Sequence, residues 1–227
     1  MNELFFPLLA GHLIADFWLQ PTSWVIHKKE NGWKSKKLII HSFLAALLPV
    51  MLAFQVKLWW FVPVIFLTHY LIDIVKTFAK ENMLSFLVDQ LLHIGILWIL
   101  ATFFTEITIS EGLRLWWIYA CGFILVTNPL GILTGIFLKS VTKAESNAGE
   151  INASGWIGIL ERILIVIFIT TGQLQAIGFL VAAKSVFRFS ETQKDGNKKA
   201  EYFLLGTLVS FLLAIVVGLG IKSIVGI

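Results

Sequence analysis

Apolar positions fall in long blocks divided by short polar breaks. The blocks are Leu4 to Leu19, Leu38 to Phe54, Trp59 to Val75, Leu84 to Phe104, Leu113 to Leu138, Gly155 to Thr171, Leu174 to Phe189 and Glu201 to Ile221. This pattern predicts an all-α fold, a polytopic transmembrane helical bundle of about seven hydrophobic segments. Pro21 disfavours helical geometry at Gln20 and so ends the first block, which at about 24 Å is short for a bilayer. Asn128-Pro129 removes a backbone donor and predicts a kink in the fifth block. The stretches Gly155 to Thr171 and Leu174 to Phe189, split at Gly172-Gln173, predict a shallow hairpin. The whole chain, 1–227, reads as a single integral membrane domain, with a four-helix half over 1–105 and a C-terminal helical half over 113–227.

Hydrophobic residues make up 57% of the chain and charged residues 14%, against roughly 25% charged in an ordinary soluble domain. The formal net charge of +4 sits in short clusters between blocks, an orientation signal and not a nucleic-acid surface. Lys28, Lys29, Lys34, Lys36 and Lys37 crowd the first loop, whereas the loop from Thr105 to Gly112 carries Glu106 and Glu111 and no basic residue. Short loops rich in lysine stay cytoplasmic, and Lys76, Lys80, Lys139, Lys143, Lys184, Arg188, Lys198 and Lys199 fall on the same side. Both termini are therefore expected outside. The first segment lacks the basic start and cleavage pattern of a signal peptide and is expected to remain. Cys121 is the single cysteine, so an intrachain disulfide is excluded. The tryptophans, including Trp59-Trp60 and Trp116-Trp117, read as interfacial anchors.

Ionisable residues inside membrane helices are costly and need a partner, a water cavity or a task. His12 and Asp16, His69 and Asp73, and Asp89 and His93 are three pairs at i and i+4, each on one face of its helix. His41 opens the second helix, while His27 belongs to the lysine-rich loop. On the lysine-derived topology all seven residues reach a similar depth near the cytoplasmic face. Bundles build metal sites in this way, from facing helices, and imidazole with carboxylate suits zinc, manganese or iron. Seven side chains exceed the ligand set of one catalytic zinc, so two ions, or one with supporting residues, are expected. The competing reading is a set of buried polar pairs that satisfy one another between helices.

A second polar group lies in the C-terminal half: Glu161, Arg162, Lys184, Arg188 and Glu201. Lys184 and Arg188, four apart, are candidates for holding a phosphate or carboxylate, with Arg162 beside them. Glu161 and Arg162 are expected to pair with charges on neighbouring helices.

Gly11-His12-Leu13-Ile14-Ala15-Asp16-Phe17, His41, His69-Tyr70-Leu71-Ile72-Asp73-Ile74-Val75-Lys76 and Asp89-Gln90-Leu91-Leu92-His93 resemble the bacterial membrane family catalogued as domain of unknown function 3307. That resemblance covers mainly the first hundred residues and implies a bacterial inner or plasma membrane. The membrane-embedded His and Asp helices are also similar, by analogy, to predicted membrane-bound metal-dependent hydrolases.

The residues lead to an expected metal-dependent hydrolase, acting at the cytoplasmic interface on a phosphoester or similar bond of a lipid-like substrate. One or two ions on His12, Asp16, His41, His69, Asp73, Asp89 and His93 would lower the pKa of a bound water. Asp89, His93 and Lys76 are the candidate catalytic groups, with Lys184, Arg188 and Arg162 orienting the phosphate. The alternative is a transporter or channel for a divalent cation or small solute that uses the same cluster. It expects a midplane site between repeats, which the sequence does not show, although the broken fifth block favours it. A third possibility is a non-catalytic partner or sensor, with the lysine loop docking an acidic partner or lipid head groups.

Overall fold

The computed structural model describes residues 3–103, 109–142, 153–192 and 197–227, with side chains described except at 56, 142, 153–154, 187–192 and 197–200. Within these residues the fold is all-α. Ten helices follow one another: α1 Phe5–Phe17, α2 Thr22–Asn31, α3 Lys36–Leu52, α4 Phe61–Phe78, α5 Met83–Thr102, α6 Glu111–Val126, α7 Asn128–Thr142, α8 Ala153–Thr170, α9 Leu174–Thr192 and α10 Asn197–Val225. Among the described residues four stretches are long and apolar enough to cross a membrane: Phe61–Phe78, Met83–Thr102, Glu111–Val141 and Glu201–Val225. A fifth is possible if Thr22–Lys34 and Lys36–Leu52, bent by 105°, count as one broken span.

The chain separates into two compact units, Met1–Ile124 and Leu125–Ile227. In the first, α1 packs on α3 and α5, α3 on α4, and α4 on α5, so four helices close into a ring. Local chemistry sets their ends. Ser35 caps α3 by accepting from the Leu38 amide at 3.2 Å, and Asn82 caps α5 by accepting from Ser85 at 2.8 Å. Beyond α3, Phe54 takes a positive φ of 50°, which stops the helix before the link to α4.

The buried stripe of α4 is Phe61, Ile65, His69 and Asp73, a strict i, i+4 ladder that is apolar at one end and ionisable at the other. On α5 the stripe runs from Asp89, Gln90 and His93 to Leu97, Leu100 and Ala101. Leu67, Leu71, Val75, Phe78, Leu84 and Leu91 face outward instead. A water-soluble bundle distributes its residues the other way, whereas lipid accepts an apolar exterior. Gly11 fixes how near α1 comes to α3. A Cβ built there would collide with the backbone of Leu48 and Pro49, so only glycine permits the approach.

The helix in the first loop was hidden by its lysines and histidine. α2 occupies Thr22–Asn31 where the sequence pattern reads as a polar connection. The fifth block is interrupted at Thr127, between α6 and α7, next to Pro129. Trp117 is buried, so the anchor role fits Trp59, Trp60 and Trp116, which are exposed, but not this residue. In the second unit, Ile165 and Ile169 of α8 pack on Phe211 and Ala214 of α10, and Gly172, at a φ of 76°, turns α8 into α9.

Candidate metal centre

All seven His and Asp residues picked out in the sequence meet inside the four-helix ring. α1 brings His12 and Asp16 toward its C-terminus, α3 brings His41 near its start, α4 brings His69 and Asp73, and α5 brings Asp89 and His93. His12, His41, His69, Asp73, Asp89 and His93 are buried, and the Asp16 side chain is 7% exposed. The imidazoles form a continuous group. His69 stacks on His93 with ring centroids 4.0 Å apart, and lies 5.0 Å from His41 and 5.7 Å from His12.

The carboxylates are organised by oxygen. Each turns Oδ2 to a donor at the edge of the cluster: Asp16 to the Gln90 amide at 3.1 Å, Asp73 to the Lys28 ammonium at 2.5 Å, and Asp89 to the Lys76 ammonium and to Gln90. Each turns Oδ1 to imidazole nitrogens. Asp16 Oδ1 lies 3.7 Å from His12 Nδ1, 3.4 Å from His41 Nε2 and 3.5 Å from His69 Nε2. Asp73 Oδ1 and Asp89 Oδ1 lie 3.7 and 3.5 Å from His93 Nε2. Among the described residues Asp16 Oδ1, Asp89 Oδ1, His12 Nε2 and His93 Nε2 are buried with no hydrogen-bond partner. Buried polar atoms left in that state carry a desolvation cost of about 1–3 kcal/mol each. Two of them, Asp89 Oδ1 and His93 Nε2, lie 3.5 Å apart, and all four atoms are of the kind that ligate a divalent cation.

Three triads each bring ligand atoms within 4.8 Å of one another: His12, Asp16 and His69; His41, His69 and Asp73; and Asp73, Asp89 and His93. His41 Nε2 and His69 Nε2 are 3.0 Å apart, and Asp73 Oδ2 is 3.7 and 3.9 Å from them. Around a tetrahedral ion with bonds of about 2.0–2.1 Å, neighbouring ligands lie roughly 3.3 Å apart. The observed separations bracket that value. Beside the rings is a small cavity with room for about one water, lined by His12, His69 and His93 with Ile65, Thr68 and Leu97.

Sequence spacing missed Lys28, Gln90 and Gln20. Lys28 is buried although it sits among surface lysines. With its amide turned to match its neighbours, Gln20 donates to the Asp16 carbonyl at 3.2 Å and accepts from Lys28 at 2.5 Å. His27, set apart in the sequence reading, bonds Ser35 Oγ at 2.8 Å and lies outside the cluster.

The second polar group has other partners. Lys184 pairs with Glu161, as expected of Glu161, and lies over the Phe211 ring at 5.2 Å. Arg162 meets no acid among the described contacts. Its guanidinium donates to the Val126 carbonyl, to Thr127 O at 2.8 Å and to Ser210 Oγ at 3.1 Å, with Gly131 and Gly158 leaving it room. Arg162 therefore satisfies backbone acceptors at the interruption between α6 and α7, a structural task in place of the expected charge pair. The Arg188 side chain, Glu106, Lys143 and the side chains of Lys198 and Lys199 lie outside the described residues. Cys121 is buried and its thiol donates to Phe6 O at 3.1 Å.

The fold and site together define a class: a helical membrane protein with a buried His/Asp centre edged by lysines. The chain belongs to the family whose model, described as a protein of unknown function (DUF3307), matches residues 4–119, a span that holds the entire centre. No curated protein and no solved structure matches it.

Proposed function

We propose that this protein is an integral membrane, metal-dependent hydrolase acting on a phosphoester or similar bond of a lipid-like substrate. One observation carries the reading: three carboxylates held from outside at Oδ2 present Oδ1 to imidazole nitrogens, and several of these buried atoms lack any other partner. Ligating carboxylates are typically held this way by an outer ring of donors. His41, His69, Asp16 and Asp73 would hold one ion, and His93, Asp89 and Asp73 a second, with His12 adjoining both. A divalent ion there supplies Lewis acidity and a water of lowered pKa. The chain's own residues do the rest. The ring of helices excludes bulk water, Gln90 and the lysines hold the carboxylates in register, and Lys76 stands ready to balance charge developing beside Asp89.

The lysine distribution supports a cytoplasmic site in a bacterial inner or plasma membrane, with both termini outside. An amphiphile would then present its head group to the centre while its tail stays in lipid. The transporter reading drew its main support from the helix break at Asn128-Pro129. Arg162 donates to two carbonyls there, Val126 O and Thr127 O, which favours the hydrolase.

Elemental analysis of protein purified without chelators is expected to find zinc, manganese or iron, lost when His69 and Asp73 are both changed to Ala. A parent free of metal, or a double variant that keeps it, overturns the reading. Phosphate release from lipid phosphates in detergent tests the reaction itself.

A further inference from the structure

We propose that Lys28 and Lys76 form the anion-binding part of this centre, gripping a phosphate-type group; the inference rests on the metal reading above. The lysines hold the carboxylates, but orientation alone does not call for charge. Asp16 has its outer oxygen held by the neutral amide of Gln90 at 3.1 Å, and this neutral donor suffices there. Asp73 is held instead by a full ammonium group, and Asp89 by one in addition to Gln90, more charge than orientation requires.

Charge balance gives the reason. With the imidazoles neutral, as ligation of a metal requires, three carboxylates and two ammoniums leave the cluster with one negative charge. One divalent ion makes it singly positive, and two make it triply positive. A buried centre with such an excess binds an anion strongly, and a phosphomonoester dianion matches it where a neutral ester or amide does not. Lys76 is at the edge, the place such an anion enters, and Lys28 is buried behind it in the centre. Lys76 is 41% exposed while its partner Asp89 is 3% exposed, so this pair spans from solvent to the interior. Lys28 comes from α2, between Pro21 and Gly32. Ammonium groups contribute point charge and three rotatable donors, suited to letting go of a carboxylate oxygen and taking a phosphate oxygen.

The anion has two possible sources, a lipid head group or free phosphate, which separate titrations distinguish. Metal-loaded protein in detergent is titrated calorimetrically with inorganic phosphate and with phosphatidic acid in mixed micelles, and metal content is measured on the same samples. Lys28→Gln keeps a hydrogen bond to Asp73 while deleting the charge, and is expected to weaken binding roughly ten- to hundred-fold at unchanged metal content. Lys28→Arg is expected to retain most of the affinity. A loss confined to phosphatidic acid assigns the site to a lipid-borne phosphate, and a loss in both titrations extends it to the free ion. Should Lys28→Gln not fold, Lys76→Gln at the more exposed position decides by the same readout. Unchanged phosphate and lipid binding in the folded variant at full metal, or a metal-loaded parent that binds neither, overturns the anion site and leaves the metal reading intact. A parent without metal fails the metal reading instead.

Discussion

At Asp89 a single atom separates chemistry from scaffolding. Asp89→Asn keeps size and a hydrogen-bond acceptor but removes the charge facing His93 Nε2 at 3.5 Å. Lys76 is 41% exposed and can turn to solvent when its partner becomes neutral, so the fold should survive with melting temperature little changed. If Asp89 holds a metal, that variant loses part of its bound ion and its hydrolytic activity. If Asp89 serves only packing, relief of a buried carboxylate leaves both untouched. Metal stoichiometry and thermal unfolding in detergent, measured together, separate the two. What the sequence showed of this site follows from covalent geometry. Pairs at i and i+4 share a helix face whatever the tertiary structure, so six of the seven His and Asp residues were legible from spacing, and His41 from its place in an apolar block. Lys28 was not, because it lies 45 residues from Asp73 and a lysine among lysines reads as solvated. Gln90 carries no charge, so its place in the motif beside Asp89 gave it no role.

Among the elements, the junction of α6 and α7 depends on one side chain from α8. Proline at 129 withdraws a donor from the helix, and Arg162 donates to Val126 O and Thr127 O close by. Arg162→Met, similar in length and unable to donate, should leave Val126 O without this donor in an apolar setting at a cost of about 1–3 kcal/mol, while Thr127 O keeps the Gly131 amide at 3.3 Å. The expected result is a clear fall in melting temperature with metal content unchanged, since the ring of α1, α3, α4 and α5 is built without Arg162. Equal loss of metal would mean that this residue supports the centre. The interruption itself was legible from Asn128-Pro129, but its partner was not. A buried arginine beside Glu161 suggests an ion pair, and only the packing of α8 shows that the guanidinium serves backbone carbonyls. α2 was missed for a related reason, since Thr22–Asn31 has too few apolar positions to stand out as a helix.

For the whole molecule the decisive quantity is which side of the membrane the lysines face. Lys34 is exposed just beyond α2, and the only native cysteine, Cys121, is buried. A Lys34→Cys variant in intact cells should resist an impermeant maleimide and label after permeabilisation. Ready labelling from outside would invert the topology and move the centre to the opposite face. The helical, membrane-crossing character of the chain was legible from its apolar blocks. The division after Ile124 was not, because the pattern of hydrophobicity runs on through Val126 without a change in composition.

The shortness of α1 bears on how a head group could reach this centre. Phe5–Phe17 has 13 residues, about 20 Å of helix against a hydrocarbon core of about 30 Å. No residue within α1 is exposed, but Trp18 and Leu19 just past it are, so lipid meets the short element at that end, where thinning of the bilayer relieves the mismatch. Thinning beside α1 would bring the polar surface of the membrane down toward Asp16, so the leaflet itself would deliver the substrate. Activity reconstituted in a series of lipids of increasing acyl length should then peak in the thin members and decline in the thick ones; a response independent of chain length would mean that α1 imposes no such dimple.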